Sequence, residues 1–359
     1  MTTPITVLTW AIVALATAIV LLSAVLVAVR LRRTLRERRQ ASLRKEPRRQ
    51  LVELVADPDE EGVDRLLALP RPAWDALEPV AVAMLGKVRG EARDSLTRVF
   101  EERGVVESAL ADLGHRSPER RARAAQALGL LARPEGVEPI CGLLKDPEPF
   151  VRVVAARALG ALASADAAGP LLASLDDGLP AQVVADALGR IGSGALPALH
   201  AALLAPQPAT RASAVDALAL IGSGESVDPI SGVLAHDDTL AVRVSAALAL
   251  GRIGQRAVVD PLLEATGETQ PAPLRAAAVR AIGTTGAASA VSVLVVLVGD
   301  SDPRVAHEAA QALRRTGPPG VRALEQLVGP EDAANPEHGT GPAHAREALA
   351  LARLDLARR

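Results

Sequence analysis

A leucine or isoleucine recurs at nearly constant spacing through most of the chain, and this period constrains the fold more than any other feature. Its seven positions are Leu128, Leu159, Leu188, Leu218, Leu250, Ile282 and Leu313. Successive members are 31, 29, 30, 32, 32 and 31 residues apart. A period of about 20–50 residues is typical of repeat proteins, in which each unit buries its apolar face only by stacking on its neighbours.

Small residues keep step with this leucine and predict a unit of two helices. Directly after it stands a glycine in five repeats: Gly129, Gly160, Gly189, Gly251 and Gly283. Four residues after it stands Ala132, Ala163, Gly192, Gly222, Gly254, Gly286 or Gly317. The later position suits the end of a first helix, where the backbone often adopts a positive φ, and a proline further on suits the start of a second helix. Since glycine and alanine allow backbones to approach, we expect the first helices of adjacent repeats to pack closely.

Three segments of this pattern, "VRVVAARALGALA", "VRVSAALALGRIG" and "LRAAAVRAIGTTG", resemble the HEAT repeat, specifically the short variant known from phycobilisome lyases. The resemblance covers about residues 113–329 and implies an all-α fold, an α-solenoid of about seven two-helix HEAT-like repeats. Residues 50–112 are helical in pattern but off-period, which predicts an irregular helical N-terminal cap. Residues 330–359 predict a Pro/Gly loop followed by a C-terminal capping helix.

The first part of the chain has the composition of a membrane anchor. Residues 1–29 contain no charged side chain, and 26 mostly apolar residues run from Pro4 to Val29. A helix of that length spans about 39 Å, enough to cross a bilayer with some tilt. A basic start and a small-residue cleavage site, which a signal peptide would need, are not evident. We therefore expect a single uncleaved transmembrane helix to precede the repeats.

A basic juxtamembrane segment, residues 30–49, follows with ten Lys or Arg against two Glu. Because basic flanks stay in the cytoplasm, we expect a single-pass inner-membrane protein with its N-terminus outside and its repeats cytoplasmic. Arginine outnumbers lysine 37 to 3, which indicates a GC-rich bacterial genome. The segment either binds anionic lipid or serves only as a topology signal. Its candidate lipid ligands are Arg32, Arg33, Arg36, Arg38 and Arg39.

Charge and composition argue against nucleic acid as a partner. Of the 40 basic and 42 acidic residues, 10 and 2 lie in residues 1–49, so residues 50–359 carry a formal charge of −10. Aromatic residues make up only 1% of the chain, so few side chains could stack on bases. The single cysteine, Cys141, excludes an intrachain disulfide.

Charged residues also follow the period, and we interpret them as a structural ladder of ion pairs near the turns between repeats. An arginine precedes the leucine by seven residues at Arg121, Arg152, Arg211, Arg243 and Arg275. An acidic residue follows it by eighteen at Asp146, Asp177, Glu268, Asp300 and Glu331.

No residues with the spacing of a catalytic, cofactor-binding or metal-binding site are recognisable, and we expect neither an enzyme nor a cofactor. Some HEAT-type relatives are enzymes; the di-iron protein deoxyhypusine hydroxylase uses several His-Glu pairs, whereas this chain has only His307-Glu308 at an equivalent place. The other histidines lack zinc-ligand spacing. An enzyme or enzyme subunit of the bilin-lyase-like HEAT class is the alternative that the resemblance implies.

The function predicted from these features is a membrane-anchored scaffold or adaptor that binds another, membrane-associated protein at the cytoplasmic face, with no small-molecule substrate. Second helices of such repeats commonly line the concave binding side. The helix Ala290–Val298 is apolar almost all round, and Val295 and Val296 exceed what burial against neighbouring repeats requires. Such a surplus marks a contact, either with a partner protein or with the final helix through Leu349, Leu351 and Leu354.

Overall fold

The computed structural model describes residue 30 and residues 46–328 and 340–357. Every regular element in these residues is a helix, as the all-α prediction requires. The chain divides into two compact units, Met1–Ser108 and Ala109–Arg359, so the boundary falls just before the predicted end of the N-terminal cap at residue 112.

The first unit contains four helices in its described part. Helix α1 runs through residues 46–56, followed by α2 (Glu60–Leu67), α3 (Arg71–Leu85) and α4 (Glu91–Glu102). Helix α5 (Val105–Asp112) crosses the boundary to the second unit. The helices are amphipathic, and their apolar faces form a core that differs from the repeats in containing large aromatic side chains.

Two aromatic rings and one arginine organise this first core. Trp74 and Phe100 pack edge to face with ring centroids 5.6 Å apart. The guanidinium of Arg103 lies 4.9 Å from the centroid of the Trp74 ring. Burial lowers the pKa of Arg103. The same group donates hydrogen bonds of 2.5–2.8 Å to the carbonyl oxygens of Leu66, Leu67 and Leu69. A cation at this helix end is favourable because the last carbonyl groups of a helix carry a partial negative charge.

The second unit contains seven consecutive two-helix repeats and one final helix within its described residues. The first helices are α6 (Pro118–Leu130), α8 (Pro149–Leu162), α10 (Ala181–Ile191), α12 (Pro208–Ile221), α14 (Leu240–Ile253), α16 (Ala272–Thr285) and α18 (Pro303–Arg315). The second helices are α7 (Val137–Gly142), α9 (Ala168–Ala173), α11 (Leu196–Ala202), α13 (Val227–His236), α15 (Val259–Glu264), α17 (Val291–Leu297) and α19 (Pro318–Leu327). Helix α20 (Thr340–Ala357) follows the last pair.

Consecutive first helices pack side by side, and most second helices pack on the first helix of the next repeat. The periodic leucine lies at the centre of this arrangement: Leu128, Leu159 and Leu188 have no exposed surface. Neighbouring alanines fill the rest of the interface, with Ala155 and Ala156 fully buried. A thin two-layer core of this kind needs no aromatic residue.

The predicted end of the first helix is confirmed by the backbone. Gly222, Gly254 and Gly286, each directly after the last residue of its helix, have φ between 65° and 71°. Ala132 and Ala163 occupy the equivalent position in the first two repeats and have φ of 53° and 54°. A left-handed alanine is strained by about 1–2 kcal/mol, so the shape of the turn is imposed by the repeat and kept even without glycine.

The predicted close packing of the first helices is also confirmed. A Cβ atom added at Gly160 would lie 2.8 Å from the Cα of Ala187, and one added at Gly251 would lie 2.7 Å from the Cα of Ala281. Contacts this short are sterically forbidden. At Gly160 and Gly251 the glycine is therefore required for this close approach of the helices, although it lowers the intrinsic stability of the helix itself.

Among the described helices, none is both long enough and apolar enough to cross a membrane. The predicted anchor, residues 1–29, lies outside the described residues. The candidate lipid ligands lie outside them as well: Arg32, Arg33, Arg36, Arg38 and Arg39.

Candidate interaction surface

Helix α17 presents the apolar surface that the sequence singled out. Leu294 and Leu297 point into the repeat and are 0% and 8% exposed, whereas Val296 is 74% exposed. Val295, beside it, is half-buried. Covering this side chain with another surface would be favourable, because it would remove apolar area from water.

The final helix does not cover this surface in the structure. Helix α20 packs on α18 and α19 instead, with Ala345, Ala348 and Leu349 buried against them. Leu351 and Leu354, which we expected to be available as cover, are 37% and 55% exposed. In the described residues Val296 therefore remains open.

The ladder of charges is present at three turns between repeats. Arg121 donates two hydrogen bonds of 2.7 Å to Asp146, and Arg275 binds Asp300 in the same bidentate manner at 3.2 and 2.7 Å. Arg211 donates to Asp237 at 2.6 and 2.9 Å. Sequence reasoning missed Asp237, because it follows its leucine by nineteen residues and not eighteen.

Each of these aspartates also holds the backbone of its turn. Asp146 accepts a hydrogen bond from the backbone N–H of Glu148, and Asp237 accepts one from Thr239. The hydrogen bonds from the paired arginine are the largest cause that lowers the pKa of Asp146 and of Asp237. The backbone hydrogen bond lowers each pKa further. Arg121 and Arg211, the partners of these aspartates, each also donate a hydrogen bond to a main-chain carbonyl oxygen of the preceding turn. Each arginine therefore connects two successive turns.

Two of the predicted ladder arginines bind differently. Arg152 donates to the carbonyl oxygen of Asp146 at 2.9 Å, and the structure shows no ion pair between Arg152 and Asp177 in the described residues. The inclusion of Asp177 in the ladder was wrong, because its turn continues through Gly178 at φ 80° and leaves Asp177 exposed. Arg243 donates to the carbonyl of Leu234 and to the side chain of Gln270, both at 2.8 Å, so an amide takes the place of the predicted carboxylate.

A cluster that the sequence analysis did not assign lies between α18 and α20. His307 is brought next to His344 and Glu347, with the two imidazole rings 5.1 Å apart. Glu308, the other half of the single His-Glu pair, binds Arg280 of the preceding repeat instead. The sequence signal for the cluster was the spacing of His344 and Glu347, which puts both on one face of a helix. That His307 joins them depends on where this helix packs, which the spacing does not show.

A family model also confirms the repeat architecture. The model described as HEAT repeats matches residues 106–189, 196–283 and 267–334, which is more than half of the chain. The chain belongs to the HEAT-repeat family. The match concerns HEAT repeats in general and gives no support to the narrower phycobilisome-lyase type. A HEAT-repeat solenoid suggests a protein-interaction scaffold.

Several solved structures are similar to this HEAT-repeat chain at low sequence identity. The crystal structure of Kap121p has 14% identity and a TM-score of 0.47, with 83% of this chain and 40% of that chain covered. Kap121p bound to Ste12p has 14% identity and a TM-score of 0.45, again over 83% and 40%. Human deoxyhypusine hydroxylase in complex with glycerol has 18% identity and a TM-score of 0.32 over 71% and 94%. The chain thus spans about two fifths of Kap121p, and no curated protein matches it.

Proposed function

We propose that this HEAT-repeat protein is a membrane-anchored, non-enzymatic scaffold that binds another membrane-associated protein through its repeats. Residues 1–29 anchor it in the inner membrane of a bacterium, and the basic segment 30–49 keeps the repeats in the cytoplasm. Support for the anchor comes from the sequence: the 29 residues lack any charged side chain, and ten basic residues follow them.

The observation that carries the interaction is the exposure of Val296. The side chain is 74% exposed on a second helix that is otherwise buried or half-buried on its apolar positions. Val295 and Val296 form the centre of the proposed contact. Apolar anchors of this kind contribute most to binding when the partner excludes water from them completely.

Affinity purification of the tagged full chain from detergent-solubilised membranes tests this function. We expect Val296→Asp to lose the co-purified partner while its thermal midpoint stays that of the parent, because an exposed position tolerates a charge in the free protein. Leu204→Asp is the matched control: Leu204 is 87% exposed near the end of α11, three repeats away.

Three results would count against the proposal. If Val296→Asp lowers the midpoint, the residue is covered within the chain. If Val296→Asp retains its partner, the contact lies elsewhere. If no protein co-purifies with the parent chain, the scaffold function itself is wrong.

A further inference from the structure

Three side chains with metal-binding atoms meet where α20 packs on the last repeat. His307 lies on α18, while His344 and Glu347 lie on α20. One ligand atom from each residue lies within 4.8 Å of the other two. Among the residues that the structure describes, no other three histidine, cysteine or acidic side chains converge in this way.

One of these distances is close to that between two ligands of a coordinated ion. Nδ1 of His307 lies 3.7 Å from a carboxylate oxygen of Glu347, and the rings of His307 and His344 meet edge to face at 80°. Bonds of about 2.0–2.2 Å at tetrahedral angles hold two ligand atoms about 3.4 Å apart, so this pair needs to move by only about 0.3 Å. At 3.7 Å the imidazole and the carboxylate do not hydrogen-bond to each other, and their lone pairs are not satisfied by that contact.

We propose that His307, His344 and Glu347 bind one divalent ion of the zinc class. Two imidazole nitrogens and one carboxylate oxygen form a ligand set that suits zinc and is a poor match for magnesium or calcium, which prefer oxygen ligands. The side chains of His307 and Glu347 are 40% and 54% exposed, so an ion can enter from solvent and water can complete its coordination.

The ligands come from two helices, so the ion would join α20 to the repeat array. Apart from Leu349, the interface buries small side chains of α20 such as Ala345 and Ala348, and Arg314 forms an ion pair of 2.5 Å with Asp355. Alanines contribute little apolar area. A metal bridge near the start of α20 therefore fixes a helix that closes the last repeat, a role distinct from partner binding on α17.

Zinc titration of the full chain in detergent micelles tests the site. After treatment with a chelator, we expect calorimetry to show one zinc ion per chain. The double substitution His307→Ala and His344→Ala should weaken zinc binding at least 100-fold, and Glu347→Gln at least tenfold. His236→Ala is the matched control, because this exposed histidine lies outside the cluster and should leave the affinity unchanged. Magnesium should not bind.

Hydrogen exchange separates the site from a general effect on folding. Zinc should slow amide exchange in residues 340–357 of the parent chain at least tenfold and leave the double variant unchanged, while circular dichroism shows the variant to be folded. Equal zinc affinity in the parent and the double variant would overturn the site, as would no stoichiometric zinc in the parent. Zinc binding without slower exchange in α20 would overturn its role in joining the helices.

Discussion

Gly160 and Gly251 have no Cβ atom, and this absence allows neighbouring first helices to approach closely. Each glycine lies against the Cα of an alanine on the next first helix, at a separation that admits no methyl group. Helix propensity and packing thus oppose each other at this position. Glycine disfavours the helix by about 1 kcal/mol relative to alanine, and the cost is offset by contacts along the whole interface.

Substituting these glycines separates the two effects. Gly251→Ala should lower the free energy of unfolding by about 1–3 kcal/mol, because an added methyl group would overlap Ala281 and force the helices apart. Gly232→Ala is the matched control: it lies inside α13 with open space around it, and should raise stability by up to ~1 kcal/mol. Urea denaturation followed by circular dichroism measures both. A stabilised Gly251→Ala would mean that close packing does not require the glycine.

At the scale of elements, helix ends and the packing of first helices could be predicted from the sequence, whereas the ladder could be predicted only in part. Helix ends depend on local φ, which glycine and its neighbours determine. The ladder depends on the exact length of each turn. In the fourth repeat the acidic partner of Arg211 is Asp237, which lies one residue beyond the predicted spacing of eighteen. The cluster at His307 depends on a contact between residues far apart in sequence, which the period does not encode.

The ladder also predicts how the array responds to acid. The pKa of Asp146 and that of Asp237 are lowered in the folded state, chiefly by their arginines, so the carboxylates stabilise the fold above the unfolded pKa of about 4. That stability is lost as the pH falls through the lower, folded pKa. The parent chain should therefore lose more stability between pH 5 and pH 2 than the double variant Asp146→Asn and Asp237→Asn.

Denaturation by urea across this pH range measures the difference. Asp177→Asn is the control, since Asp177 is exposed and forms no ion pair with Arg152 in the described residues. The free energy of unfolding of the control should vary with pH as that of the parent does, whereas that of the double variant should vary less. Identical pH dependence of the parent and the double variant would mean that the aspartate–arginine pairs do not stabilise the array.

The basic segment, residues 30–49, is a second part of the chain whose proposed role can be tested separately. We expect fragment 30–359 to bind vesicles containing anionic lipid and to dissociate as salt is added, because its arginines are attracted to a negative surface. Fragment 50–359, which carries a formal charge of −10, should stay unbound. Sedimentation with the vesicles measures both. Equal binding by the two fragments would reduce the segment to a topology signal.

For the whole molecule, the proposed anchor would determine where the repeats act. A HEAT-repeat array at the cytoplasmic face can recruit only proteins that reach that face, so the orientation of residues 1–29 limits the possible partners. The amino-acid sequence predicts the membrane segment from hydropathy and its orientation from charge. Neither prediction depends on the packing of the repeats.

The activity of alkaline phosphatase fused after Arg359 tests this orientation most directly, because the enzyme becomes active only when it is exported. We expect the fusion to be inactive. As a control, basic residues can be moved to the other flank by Thr2→Arg and Thr3→Arg, with Arg32, Arg33, Arg36, Arg38 and Arg39 replaced by glutamine. The control should invert the helix and give an active enzyme. An active fusion to the parent chain would place the repeats outside the cytoplasm and contradict the proposed scaffold.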